Sequence, residues 1–158
     1  MCHKRIASES EIADNTSPLE LIEVRAGLEP QVTRLAVLDA SARNLQAVEQ
    51  SLLELEALNR GCEPEEFSKA DQQFHMSLAE CTGNSLMLWL CSQVNDVRCN
   101  RQWSTVKDKI LTMDQIRVYN KQHRAIFDAV VNRDIHTAEK HTLAHLELAR
   151  NDLLGAAR

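Results

Sequence analysis

Asp71 and His75 stand four residues apart in the segment K-A-D-Q-Q-F-H. On an α-helix that spacing leaves two side chains about 40° apart around the axis. A carboxylate and an imidazole then project from one face and can reach one cation. The pair alone is a weak signal, because D-x-x-x-H arises by chance and most such pairs are surface hydrogen bonds. Its position on the helix strengthens it. Asp71 falls between Phe67 and Phe74, and His75 falls beside Leu78, so both border an apolar stripe. A carboxylate there needs a partner.

Two further histidines point the same way. His123 lies in the series Ile116, Tyr119, His123, Ile126, Val130, whose 3-4-3-4 spacing marks one helix face. His145 lies in Ala138, Thr142, His145, Ala149, again at 3-4-3. A turn centred near Arg133 separates the two runs. In an antiparallel hairpin His123 and His145 would stand at heights of about 15 and 18 Å from that turn, at a rise of 1.5 Å per residue. One inward histidine is ordinarily a core residue bonded to a carbonyl or a water. Two at matched depth, with an Asp and a His on a third helix, instead fit the O/N ligand set of a divalent transition metal. Of the remaining histidines, His136 and His141 fall far from their helix's apolar stripe and His3 lies in the leader. All three are expected to be solvated.

The elements that must position these groups are helices. The chain has 158 residues, 44% of them apolar, and only four Gly and three Pro. That is one domain's worth of chain with few turn residues for a many-stranded sheet. Residues 1–16 lack a sustained apolar stripe and are expected to be a tail or linker that can hold a short helical turn. Residues 17–158 are expected to form the folded domain. Ser17-Pro18 suits a helix start. Pro30 is expected to break or kink the first helix. Ser41 can cap the next, Gly61 can end it, and Glu63 to Glu66 put acids in the first turn of a fourth. Gly83 and Asn84 read as a helix stop and the next N-cap. The polar stretch 101–109 is expected to be the longest loop, Asp134 to cap the last helix and Gly155 to end it. The expectation is an all-α antiparallel bundle of six or seven helices.

Composition also excludes function classes. The formal net charge is −5, whereas a chain that grips nucleic acid by itself is usually basic. No apolar run approaches the roughly 20 residues of a membrane span. Five cysteines with no C-x-x-C read as reduced thiols, and a cytoplasmic location is expected.

Five segments occur in an order that resembles a known family: E-V-R-A-G-L-E-P (23–30), D-Q-Q-F-H (71–75), C-T-G-N (81–84), Q-H-R-A-I-F-D-A-V (122–130), and Ala138 followed by His145-Leu146. They are similar to the FCD domain, the C-terminal effector-binding domain of the FadR subfamily of GntR transcription regulators. The likeness covers roughly residues 17–154. It implies an all-α bundle holding a divalent metal through Asp71, His75, His123 and His145, with zinc the first expectation and Ni, Mn, Fe or Co as alternatives. It also implies a small organic acid as effector, bound at the metal's open positions. Arg25 matches the family's E-x-R arginine and would bind that acid, although periodicity alone marks it as a solvated charge. Arg98 is a weaker candidate for the same role, its alternative being a surface arginine beside Asp96. A homodimer is implied. DNA contact is expected only through a winged helix-turn-helix domain that these residues do not contain.

Two other readings compete with this one. A metal-dependent enzyme acting on a small carboxylate would need a general base, and Glu80 and Glu139 read as solvated. No G-x-S-x-G, P-loop or H-E-x-x-H is present, and Cys81 and Cys91 read as small core residues. The expectation is therefore that the chain is not an enzyme. A ligand-free helical interaction domain would bind no metal and be indifferent to chelator.

Overall fold

The computed structural model describes residues 8–99 and 102–156, less the side chains of 9, 10 and 102–105. His3 and Cys2 lie outside the described residues. Among the described residues, eight α-helices follow in order: α1 Glu9–Asn15, α2 Pro18–Asp39, α3 Ala42–Ala57, α4 Pro64–Glu80, α5 Ser85–Arg98, α6 Gln102–Ile110, α7 Met113–Val131 and α8 Ile135–Ala156. A single 3₁₀ turn, Leu58–Arg60, follows α3. The all-α expectation holds, with one or two helices more than expected.

Local chemistry sets most of the boundaries. The hydroxyls of Ser17 and Ser41 accept from the backbone N–H groups of Glu20 and Asn44. Asn84 accepts from Leu86 and Met87, and Asp134 from Thr137 at 3.0 Å. Each cap satisfies an N–H that the first helical turn leaves without a partner. Gly83 ends α4 with φ +60°, a conformation that costs other residues about 1–2 kcal/mol. Arg133 takes φ 57° in the α7–α8 turn and donates to the carbonyls of Val37 and Ala40 at 2.6 Å each. It thereby closes the C-terminal end of α2. The last helix runs one residue past Gly155.

Two expectations need correction. The break expected as one outcome at Pro30 does not occur, since α2 continues from Pro18 to Asp39. Proline removes one helical hydrogen bond, but Val32, Thr33, Ala36 and Val37 beyond it are buried in the core. Burial of that half of α2, packed along α8, outweighs the lost bond. The part of 101–109 that is described, residues 102–109, is not a loop. It forms most of α6, whose Val106 and Ile110 pack on a small cluster of Leu21, Ile22 and Leu153, and residue 101 lies outside the described residues. Two apolar residues one turn apart are too short a series to show a period. The leader residues Glu9–Asn15 form a helix of nearly two turns, opened by a capping box at Ser8, and this helix contacts α5.

The main core gathers Phe74, Leu78, Leu52, Leu55, Ile116, Ile126 and Val130 from α3, α4 and α7 with Val32 and Ala36 of α2 and Ala138 of α8. Helices α2, α7 and α8 pack side by side, and α4 lies across α2 and α3. The four polar residues singled out above line the space where α4, α7 and α8 meet α2.

Candidate metal and anion site

The four expected ligands come together. One donor atom from each of Asp71, His75, His123 and His145 lies within 4.8 Å of the others. The imidazole centroids of His75, His123 and His145 are 4.6 to 5.4 Å apart. The helical spacings bring this about. The i, i+4 pair on α4 puts His75 Nε2 3.6 Å from Asp71 Oδ1. The α7–α8 hairpin sets His123 against His145, at the matched depth that residue counting predicts.

Three of the four donors are braced from behind. His75 Nδ1 lies 3.1 Å from Glu29 Oε2, and His145 Nδ1 lies 3.0 Å from Gln122 Oε1. An ionised carboxylate only accepts, so His75 Nδ1 carries the proton and its Nε2 presents a lone pair. Asp71 gives Oδ2 to the Arg98 guanidinium and turns Oδ1 to His123 Nε2 at 3.0 Å. His123 is wholly buried, yet neither ring nitrogen makes an aligned hydrogen bond. A buried polar atom without a partner is costly, and a metal ion satisfies a ring nitrogen. The outer carboxylate and amide that fix the other two rings are the usual companions of metal-ligating histidine. The residues present therefore fit a divalent ion.

The electrostatics agree for three of the four. Burial would raise the Asp71 carboxyl, but Arg98, His75 and His123 outweigh it and hold it well below the usual range. Burial lowers His123, and burial together with His123 and His75 lowers His145 well below 6.5. A charged carboxylate and two neutral imidazoles are the protonation states a metal needs. His75 goes the other way: burial lowers it, but Glu29 and Asp71 prevail and raise it.

Two buried arginines border the cluster. Arg25 is only 4% exposed, against the reading of a solvated charge. Its amphipathic stripe gave no hint, because the helices covering it come from elsewhere in the chain. Arg25 Nε pairs with Glu29 Oε1 at 2.5 Å, and its Nη2 lies 3.5 Å from His75 Nε2. Arg98 is likewise buried on Asp71 rather than at the surface beside Asp96. Arg25, Asp71, Arg98, Lys107, Tyr119 and His145 line a cavity of about 80 Å³, room enough for several waters or a small acid. His136 is exposed, His141 is half-buried, and neither joins the group.

Two residues of the site escape sequence reasoning. Glu29 and Gln122 lie in segments that carry the family likeness, but nothing in their spacing marks them as partners of His75 and His145; Gln122 reaches His145 across a helix hairpin. The four cysteines described are free, and burial raises the thiols of Cys81 and Cys91 to about 11, so neither is an activated nucleophile.

Residues 20–148 match the FCD domain. This chain belongs to the FCD domain family. It is similar to the Uxu operon regulator of Haemophilus influenzae, 30% identical over 135 residues that cover 84% of this chain and 50% of that protein. It is also similar to the Glc operon transcriptional activator of Escherichia coli K12, at 23% identity over 94% of this chain and 64% of that one. The FCD chain thus spans about half to two-thirds of the curated relatives it matches. These relatives are regulators of transcription rather than enzymes, the side of that question the sequence favoured. Among solved structures, E. coli McbR/YncC superposes with a TM-score of 0.77 at 14% identity, over 88% of this chain and 65% of that one. A metal-free FCD domain of a transcriptional regulator superposes at 0.68 with 17% identity, over 96% and 98%. At these identities the likeness establishes the FCD fold. Among the described residues, no helix is long and apolar enough to cross a membrane.

Proposed function

We propose that this FCD domain is the effector-sensing part of a GntR-type, FadR-subfamily transcription regulator. Asp71, His75, His123 and His145 hold a divalent transition metal, and Arg25 and Arg98 help to bind a small organic acid. The observation that carries this reading is His123. Both ring nitrogens are buried without an aligned hydrogen bond, Nδ1 having no partner and Nε2 meeting only Asp71 Oδ1 at 3.0 Å, at the centre of a cluster whose other imidazoles are braced from outside by Glu29 and Gln122. A core built only to pack has no use for that arrangement. When bound, a divalent ion would supply a positively charged contact for a carboxylate oxygen. Zinc is the first candidate, and Ni, Mn, Fe and Co suit the same three nitrogens and one oxygen.

The chain's own residues supply the rest. Arg25 and Arg98 offer charge-assisted hydrogen bonds to an anion in the cavity, and both are held by buried acids. Ligands drawn from α4, α7 and α8, and arginines from α2 and α5, make occupancy of the site felt by five helices. An effector that prefers one packing of those helices shifts its population. The shift would pass to a second copy in a homodimer and to a winged helix-turn-helix reader of DNA, in the cytoplasm.

Elemental analysis of the purified chain, with melting curves in the presence and absence of chelator, tests the reading. About one equivalent of transition metal and a marked fall of Tm in chelator are expected, since a ligand at 100 times its Kd adds about 2.7 kcal/mol. No metal, and a melting curve indifferent to chelator, would overturn it. A thermal-shift screen of small carboxylates on the metal-loaded chain then identifies the acid.

A further inference from the structure

We propose that Glu29 is the positioning residue that couples the metal ligands to the anion-binding arginine. One buried carboxylate orients His75 for the ion and Arg25 for the acid, so that the two bindings depend on each other through it. This deepens the reading above and rests on it.

The geometry is specific. Glu29 Oε2 lies 3.1 Å from His75 Nδ1, while Oε1 takes Arg25 Nε at 2.5 Å and Oε2 lies 3.4 Å from Arg25 Nη2. The carboxylate can only accept, so it selects the Nδ1–H tautomer of His75 and leaves Nε2 free to ligate. Arg25 Nη2, a donor only, lies 3.5 Å from that same Nε2, which fits Nε2 as an acceptor. Arg25, Glu29 and His75 thus form a closed ring of contacts between α2 and α4. A carboxylate bound beside His75 Nε2 falls within reach of the guanidinium that Glu29 holds there. Glu29 is itself largely buried, with 12% of its side chain exposed, and its two contacting partners offset the cost of its charge. It touches neither ion nor acid. It acts through the two residues that do.

Cobalt(II) titration of the metal-free chain, followed by its visible absorption with and without acetate, reads both effects. Glu29→Gln is expected to weaken cobalt(II) binding at least tenfold, in line with other outer partners of metal histidines. It is also expected to abolish most of the strengthening that acetate gives the wild type. Glu23→Gln, at an exposed position of the same helix, should change neither. Nitrogen-15 shifts of the His75 ring in the metal-free chain at pH 8 give a readout that a merely structural role does not move. The proton is expected on Nδ1 in the wild type and redistributed in Glu29→Gln. Should that variant fail to fold, Glu29→Asp keeps the charge one methylene short and should lose the same coupling. Cobalt binding within threefold of wild type, with the acetate effect intact, overturns the role of Glu29 and leaves the metal reading standing. A proton on His75 Nε2 in the wild type also overturns it. No cobalt binding by the wild type overturns both.

Discussion

Arg98 reaches across from α5 to take Oδ2 of Asp71, and both groups are buried. The arginine keeps the carboxylate ionised and aims its other oxygen at His123, 3.0 Å away. It also ties the end of α5 to the middle of α4.

Removing Arg98 should therefore strand a buried charge. Arg98→Met is expected to destabilise the metal-free chain by about 3–5 kcal/mol, the usual cost of breaking one side of a buried pair. Urea unfolding measures it, and the double variant Arg98→Met/Asp71→Asn should recover part of the loss. A cost below about 1 kcal/mol would mean the pair is solvated after all.

His123 should separate stability from metal binding. His123→Leu removes a buried Nδ1 with no partner and an Nε2 whose contact with Asp71 is not an aligned hydrogen bond; an unpaired buried nitrogen costs about 1–3 kcal/mol. The metal-free variant is expected to melt at or above the wild-type temperature, while added zinc no longer raises its Tm. A variant that melts lower without metal, yet still gains from zinc, would contradict the placement of His123 as a ligand.

The pH dependence follows from three histidines and two acids. His123 and His145 have folded pKa values below 6.5, so below about pH 6.5 the unfolded chain takes up protons that the folded chain refuses. Stability then falls as the pH drops. His75 is raised, so its contribution is complete below about 6.5 and is lost as the pH climbs through its folded value. Asp71 and Glu29 are depressed, and their contribution persists above about pH 4 and fails only in stronger acid. The metal-free chain should be most stable near neutrality, as urea midpoints from pH 4.5 to 8.5 would show. A steady gain from pH 7 down to 5 would refute the buried neutral state of His123 and His145.

Gly83 tests the frame rather than the site. At φ +60° an added Cβ meets backbone strain though the space around it is open, so Gly83→Ala should cost about 1–2 kcal/mol. Because it lies beyond the C-terminal end of α4, metal affinity should stay within about twofold. A neutral substitution would mean that the turn can relax.

Much of this molecule is written in local patterns. Ser17, Ser41, Asn84 and Asp134 cap where their side chains predict, because capping is a contact between near neighbours in the chain. The 3-4 spacing around His123 and His145 marks them as inward-facing, because burial follows helix period. Similar distances from the Arg133 turn put them at similar depth. Asp71 and His75 share a face for the same reason.

Other features depend on partners far along the chain. Pro30 reads as a break or a kink, and the packing of α2 on its neighbours carries the helix through it. Arg25 reads as a surface charge and Arg98 as a neighbour of Asp96, yet both are buried. Their partners are Glu29 with His75 in one case and Asp71, 27 residues away, in the other. Gln122 finds His145 across a hairpin. The sequence by itself determined the helices, their caps and the faces that carry the ligands, since these rest on interactions within a few turns. The tertiary structure alone decided which charges are buried and which residues brace the ligands from behind, since burial and ion pairing depend on what other helices bring to the same place.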